Sequence, residues 1–134
     1  MPQSRVLEIA AVLGVSDDTV RRWIGTGHLD ATPDERGRKV VDGASAAQLA
    51  CARARPVTDP SQVGRSARNT FVGLVLEVHC DTVMSRVELL CGTNRIEAVM
   101  STEAVRELAL EPGSIAVAVV KATQVLIEPV ALHR

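Results

Sequence analysis

The hydrophobic period of this chain changes once, across residues 55–65, and that change restricts it to two separately organised parts. Ahead of the change, Val6, Ile9, Ala10 and Leu13 recur at three- and four-residue steps, the period of a helix with one buried stripe. Beyond it, Val72, Leu74, Leu76 and Val78 alternate with Phe71, Gly73, Val75 and Glu77, the period of a strand. Between the two stand Pro56, Pro60 and Gly64 among polar residues, a linker composition that proline biases toward extended backbone. The expected organisation is a domain over 1–54, a linker over 55–65 and a second domain over 66–134.

In the first part, Gly14-Val15 interrupts the helical stripe, and Ser16 then stands where an N-cap belongs. Asp17 and Asp18 follow in the first turn, where carboxylates favour the positive end of a helix. Val20, Trp23 and Ile24 form the buried stripe of this second helix, and Gly25 and Gly27 end it. A helix, a short glycine turn and a capped helix make a helix-turn-helix. Leu29 to Val41 reads as a β-wing with Arg36-Gly37-Arg38-Lys39 at its tip, and Ala44 to Ala54 as a further short helix.

In the second part, Val83, Val87 and Leu89 alternate with Arg86 and Glu88, and Ile96, Ala98 and Met100 line one face of a third strand. Ser101 caps a short helix over 102–108. Glu111-Pro112-Gly113-Ser114 turns into an almost wholly apolar strand over 115–120, and a last strand runs over 124–128. The expected fold is therefore an α-rich winged helix-turn-helix followed by a five-stranded OB-like β-barrel with one short helix.

Composition narrows the function. The 134 residues carry a net charge of −1, with nine basic and eight acidic residues through position 65 and six and eight after it. No global field draws the chain to nucleic acid or membrane, so any such binding depends on local placement of charge. Cys51, Cys80 and Cys91 are odd in number and lack Cys-x-x-Cys spacing, which points to reduced thiols and a cytoplasmic setting. No apolar run reaches the length of a membrane span or signal core. His28, His79 and His133 stand apart from any carboxylate or thiol at ligand spacing. With no triad pattern and no phosphate loop, the expectation is a binding protein rather than an enzyme, without a cofactor or metal cation.

The string from Ile9 to Trp23 resembles the excisionase and MerR class of DNA-binding domains. That resemblance implies a second helix in the major groove of double-stranded DNA, with Ser16, Thr19, Arg21 and Arg22 toward the bases. Arg36, Arg38 and Lys39 would then grip phosphates from the wing.

Ser66-Ala67-Arg68-Asn69, the glycine-centred strand around Gly73, the Ala98-to-Ser101 step and the late Lys121-Ala122-Thr123 together resemble the molybdate-binding Mop/TOBE domains, over about residues 65–128. The two tripeptide cores hold hydroxyl, guanidinium, ammonium and backbone N–H donors but no carboxylate. Such a set suits an oxyanion that carries no proton, such as molybdate or tungstate. Phosphate near neutral pH keeps a proton that would meet only donors there. The resemblance implies Ser66, Ala67, Arg68, Lys121 and Thr123 as ligands, with Ser101 reaching in from a neighbouring subunit. Where family members often carry a serine three residues after Ser101, this chain has Ala104. Asn69 is read as a structural residue at the start of its strand.

A homodimer or a trimer of dimers is expected, because the strand over 115–120 is apolar on both faces. The combined expectation is a molybdate-responsive DNA-binding regulator. The alternative is an intracellular molybdate store whose first domain mediates assembly or docking.

Overall fold

The computed structural model describes residues 3–53, 60, 64 and 69–130. They belong to two compact units, Met1–Pro56 and Val57–Arg134.

The first unit runs β1 (Gln3–Arg5), α1 (Val6–Leu13), α2 (Asp17–Gly25), β2 (Ala31–Pro33), β3 (Lys39–Asp42) and α3 (Gly43–Arg53). Gly14 ends α1 at φ +69°, a left-handed conformation that lets the chain reverse into α2. Ser16 caps α2 as its position predicts, its hydroxyl accepting the Thr19 N–H at 3.1 Å. Val20 and Val41 are fully buried, with Val6, Ile9, Ala10, Trp23, Leu29 and Ala46 packed around them. Trp23 also takes the Arg53 guanidinium over its ring at 5.1 Å. The strands form an antiparallel sheet in the order β1-β3-β2. The sequence shows no sign of β1, whose three residues pair with 40–42.

The second unit runs β4 (Asn69–Cys80), β5 (Met84–Cys91), β6 (Asn94–Ser101), α4 (Thr102–Glu107) and β7 (Ile115–Val120), followed by a 3₁₀ turn at Ala122–Gln124. Its sheet is antiparallel in the order β6-β5-β4-β7. Val75, Val87, Leu89, Cys91 and Val105 form the buried core. The alternation read along β4 does not persist: the register slips between Val75 and Glu77, a bulge at Leu76. An extra residue exchanges the two faces. Val75 is therefore buried ahead of the bulge while Leu74 is exposed, and Val78 packs against the core beyond it.

Gly73 lies where β4 crosses closest to β5. A Cβ there would stand 2.5 Å from Cys91 Sγ and 2.8 Å from the Leu90 carbonyl oxygen, so only glycine fits without displacing the neighbouring strand.

The expected fifth strand over 124–128 is not formed. The described part of the second unit is a curled four-stranded half-barrel, with Gln124 in the 3₁₀ turn and 125–128 outside any strand. Leu126 and Ile127 are 90% and 89% exposed. The reason is physical: a strand exists only by pairing, and this segment meets no edge of its own sheet.

Candidate functional site

The residues flanking two sequence motifs meet at one end of the second unit. Asn69, which follows directly on Ser66-Ala67-Arg68, pairs with Val120, which directly precedes Lys121. The Asn69 side-chain amide donates to the Val120 carbonyl at 3.2 Å and fastens the two strand ends together, in keeping with its structural reading. Ser66, Ala67 and Arg68 themselves lie outside the described residues. Lys121 precedes the 3₁₀ turn as its N-cap and Thr123 lies within that turn; both are exposed.

Ser101 stands elsewhere. It pairs with Met84, and Ser85 beside it pairs with Cys80, so Ser101 sits at the far end of the sheet from Asn69 and Lys121. Eleven residue steps along β4 at about 3.3 Å each separate those ends by roughly 35 Å of strand. A single chain thus holds Ser101 and Lys121 at opposite ends of one sheet.

The hydroxyl of Ser101 accepts the Ala104 N–H at 3.1 Å and caps α4. Its own proton has no acceptor among the described residues, so it remains a donor. Position 104 contributes no hydroxyl, and its N–H is already engaged by the cap.

Beneath Ser101 is a clasp that the sequence did not reveal. Thr102 Oγ1 donates to the Asp81 carbonyl at 2.6 Å and accepts from Ser85 Oγ at 2.7 Å, while the Thr102 N–H reaches the Val83 carbonyl at 2.8 Å. Both hydroxyl-bearing side chains are buried. The clasp ties the start of α4 to the β4–β5 turn and holds Ser101 in place. Two hydroxyls seventeen residues apart leave no local pattern that sequence reading could use.

In the first unit, the cations predicted to meet DNA are all exposed, yet two are already engaged. Arg21 Nη1 lies 2.6 Å from Asp17 Oδ2 and 3.7 Å from Asp18 Oδ1. Arg38 Nε lies 3.2 Å from Asp34 Oδ2. Asp34 organises the whole wing tip: its Oδ1 accepts the N–H groups of Arg36 at 2.9 Å and Arg38 at 2.8 Å, and Gly37 takes φ +78° at the turn. The backbone N–H of Arg38 is the main influence holding the Asp34 carboxyl below its usual range, and the Arg38 charge adds to it. The Asp17 carboxyl is likewise depressed, chiefly by its hydrogen bond from Arg21. Arg22, Arg36 and Lys39 are the predicted contacts with no carboxylate partner among the described residues. Ser16 and Thr19 share a hydroxyl–hydroxyl bond of 2.9 Å across the start of α2.

Among the described residues, no three His, Cys, Asp or Glu side chains cluster as a cation site. No described helix is long and apolar enough to cross a membrane. The Cys91 thiol is pushed up in pKa by burial, while Cys51 and Cys80 are exposed.

Residues 65–127 match the TOBE domain family. Similar solved structures include MopII from Clostridium pasteurianum, with 36% identity over 49% of this chain and all of that one, TM-score 0.47. A molybdate-binding protein from Sporomusa ovata shows 28% identity over 50% of this chain and all of that one, TM-score 0.49. The cytoplasmic molybdate-binding protein ModG shows 40% identity over 49% of this chain and 48% of that one, TM-score 0.45. No curated protein matches the chain. By the domain match and the identity to MopII, rather than by superposition, the chain belongs to the TOBE-domain family through its second unit.

Proposed function

We propose, with that family membership as the premise, that the second unit binds molybdate or tungstate between two copies of the chain. Ser66, Ala67, Arg68, Lys121 and Thr123 come from one copy and Ser101 from the other. The observation that supports this reading is the Asn69–Val120 pair, which brings together the residues that follow Arg68 and precede Lys121, while Ser101 lies at the opposite end of the sheet. A bare tetrahedral dianion offers only acceptors, and this residue set offers donors and positive charge. The unit acts by binding, not by catalysis.

The first unit then reads DNA, and the chain acts as an oxyanion-responsive regulator. Its support is the preformed wing tip, with Arg36 and Lys39 on either side of Gly37, together with Arg22 on α2, all exposed and without a carboxylate partner among the described residues. A dianion bridging two copies changes the free energy of one pairing geometry and with it the spacing of two α2 helices. A storage role is the second reading, favoured by the carboxylates that already engage Arg21 and Arg38.

Calorimetry with molybdate, tungstate, sulfate and phosphate tests the first half: strong heat with the first two and little with phosphate is expected, and equal affinity for phosphate sinks it. A gel-shift at low and high salt, with and without molybdate, tests the second. Binding that weakens with salt supports the regulator. A chain that ignores DNA at low ionic strength leaves the store.

A further inference from the structure

Ser85 and Thr102 are the two buried polar side chains among the described residues, 3% and 1% exposed, and both belong to the clasp beneath Ser101. Ser85 shares a face of β5 with the core residue Val87, and Thr102 stands one turn before the core residue Val105 on α4. Apolar side chains of similar size would fill this space without the cost of desolvating two hydroxyls. Packing alone therefore does not call for them. A buried and fully satisfied polar network instead fixes one arrangement of the elements it joins.

The direction of the bonds follows from their partners. A hydroxyl carries one proton, and that of Thr102 goes to the Asp81 carbonyl, so Ser85 donates to Thr102. Ser101 stands between two neighbours that are both fastened to Ser85: Met100 by strand pairing and Thr102 through its side chain. Its oxygen is held in addition by the Ala104 N–H. The torsion of its own proton is the main freedom left to it.

We infer that Thr102, supported by Ser85, is a positioning residue that sets the preference of the oxyanion site for molybdate over sulfate. This rests on the reading that Ser101 completes that site in a second copy. Sulfate is also a bare dianion, so donor-only chemistry that rejects phosphate accepts it, and size must separate the two. Sulfate is the smaller. A donor clasped at one position cannot follow a smaller anion inward, whereas a loosened donor can.

Calorimetry of the full chain with molybdate and with sulfate tests this. Thr102→Val keeps the shape and removes the hydroxyl. Its molybdate affinity should fall roughly tenfold, the lower end of what losing a supporting partner costs at metal sites. Sulfate affinity should fall much less, so the ratio between the anions shrinks. Thr102→Ser returns the hydroxyl and should return the ratio. Val75→Ala, a change in the core outside the clasp, should keep the parent ratio even where it lowers stability. An equal loss for both anions in Thr102→Val would make its role structural and sink the inference.

A double-mutant cycle shows whether Thr102 acts through Ser101. In a Ser101→Ala background, Thr102→Val should lower molybdate affinity no further, and additive losses would exclude positioning through Ser101. Should Thr102→Val fail to fold, both measurements are made with Ser85→Ala, which leaves the Thr102–Asp81 bond in place and should shrink the ratio by less. A parent chain that binds neither anion defeats the oxyanion reading and this inference together. A parent that binds molybdate without preferring it to sulfate, or variants that keep the parent ratio, overturn the inference alone.

Discussion

The two units differ in how far each satisfies itself. The first surrounds Val20 and Val41 with six further buried side chains from three helices and the turn before β2. The second buries five, and it carries twelve of the fourteen large apolar side chains that the described residues leave exposed. A short helical unit can close because each helix satisfies its own backbone and needs only one covered stripe. A sheet has two edges and two faces, and a four-stranded half-barrel ends in two edge strands, β6 and β7. The chain therefore couples a part that covers most of its apolar surface to a part that leaves much of its own exposed.

The sharpest way to break this contrast is in the closed unit. Trp23→Ala should cost about 3–5 kcal/mol, the usual loss for a buried large aromatic. Hydrogen exchange should show the first unit opening at every protein concentration, while the second keeps its protection. A loss spreading equally through both would show that the units are not independent.

Next in size is Lys121→Ala, which on the proposed site removes a charge-assisted bond of about 1.5–3 kcal/mol, or roughly ten- to a hundredfold in molybdate affinity by calorimetry. The thermal midpoint without ligand should hardly move, because Lys121 is exposed. A variant that binds as well as the parent removes Lys121 from the site.

Gly73→Ala probes the open unit's own packing. Its new methyl meets Cys91 Sγ and the Leu90 carbonyl, and overpacking of this kind costs about 1–3 kcal/mol. Urea unfolding followed through the second unit should report it, and an unchanged midpoint would mean that β4 and β5 can separate freely.

The smallest effect belongs to the wing. Asp34 is held below its ordinary pKa in the folded chain, so its contribution is present above the unfolded carboxylate value, about 3.9, and disappears as pH falls through the lower folded value. NMR of the Arg36 and Arg38 amides should therefore show the wing tip intact from neutral pH down to about 4 and loosening below it. Asp34→Asn should abolish that acid transition. If the amide shifts titrate identically in both forms, Asp34 does not hold the turn.

Much of the fold was legible because its signals are local. The Gly14 stop, the Ser16 cap and the Val20–Trp23 stripe each lie within one turn of the residues they affect, and Gly113 announces its own turn. The strands β5, β6 and β7 could be read from alternation or from an apolar run. The Leu76 bulge escaped, because alternation says which residues share a face only while the register is unbroken. At the site, the donor chemistry was legible, but the distance between Ser101 and Lys121 was not. Nor was the Thr102–Ser85 clasp, since each hydroxyl looks like any other until the chain brings them together.

The amino-acid sequence by itself determined the two parts, their periods, the caps and the donor-only chemistry, all properties of neighbouring residues and of their side-chain types. Tertiary structure alone decided which potential strand found a partner, which arginines were already engaged by carboxylates, and that Ser101 and Lys121 lie at opposite ends of the sheet. These depend on backbone pairing across tens of residues, where a segment such as 125–130 can satisfy every local rule for a strand and still remain without an edge to join.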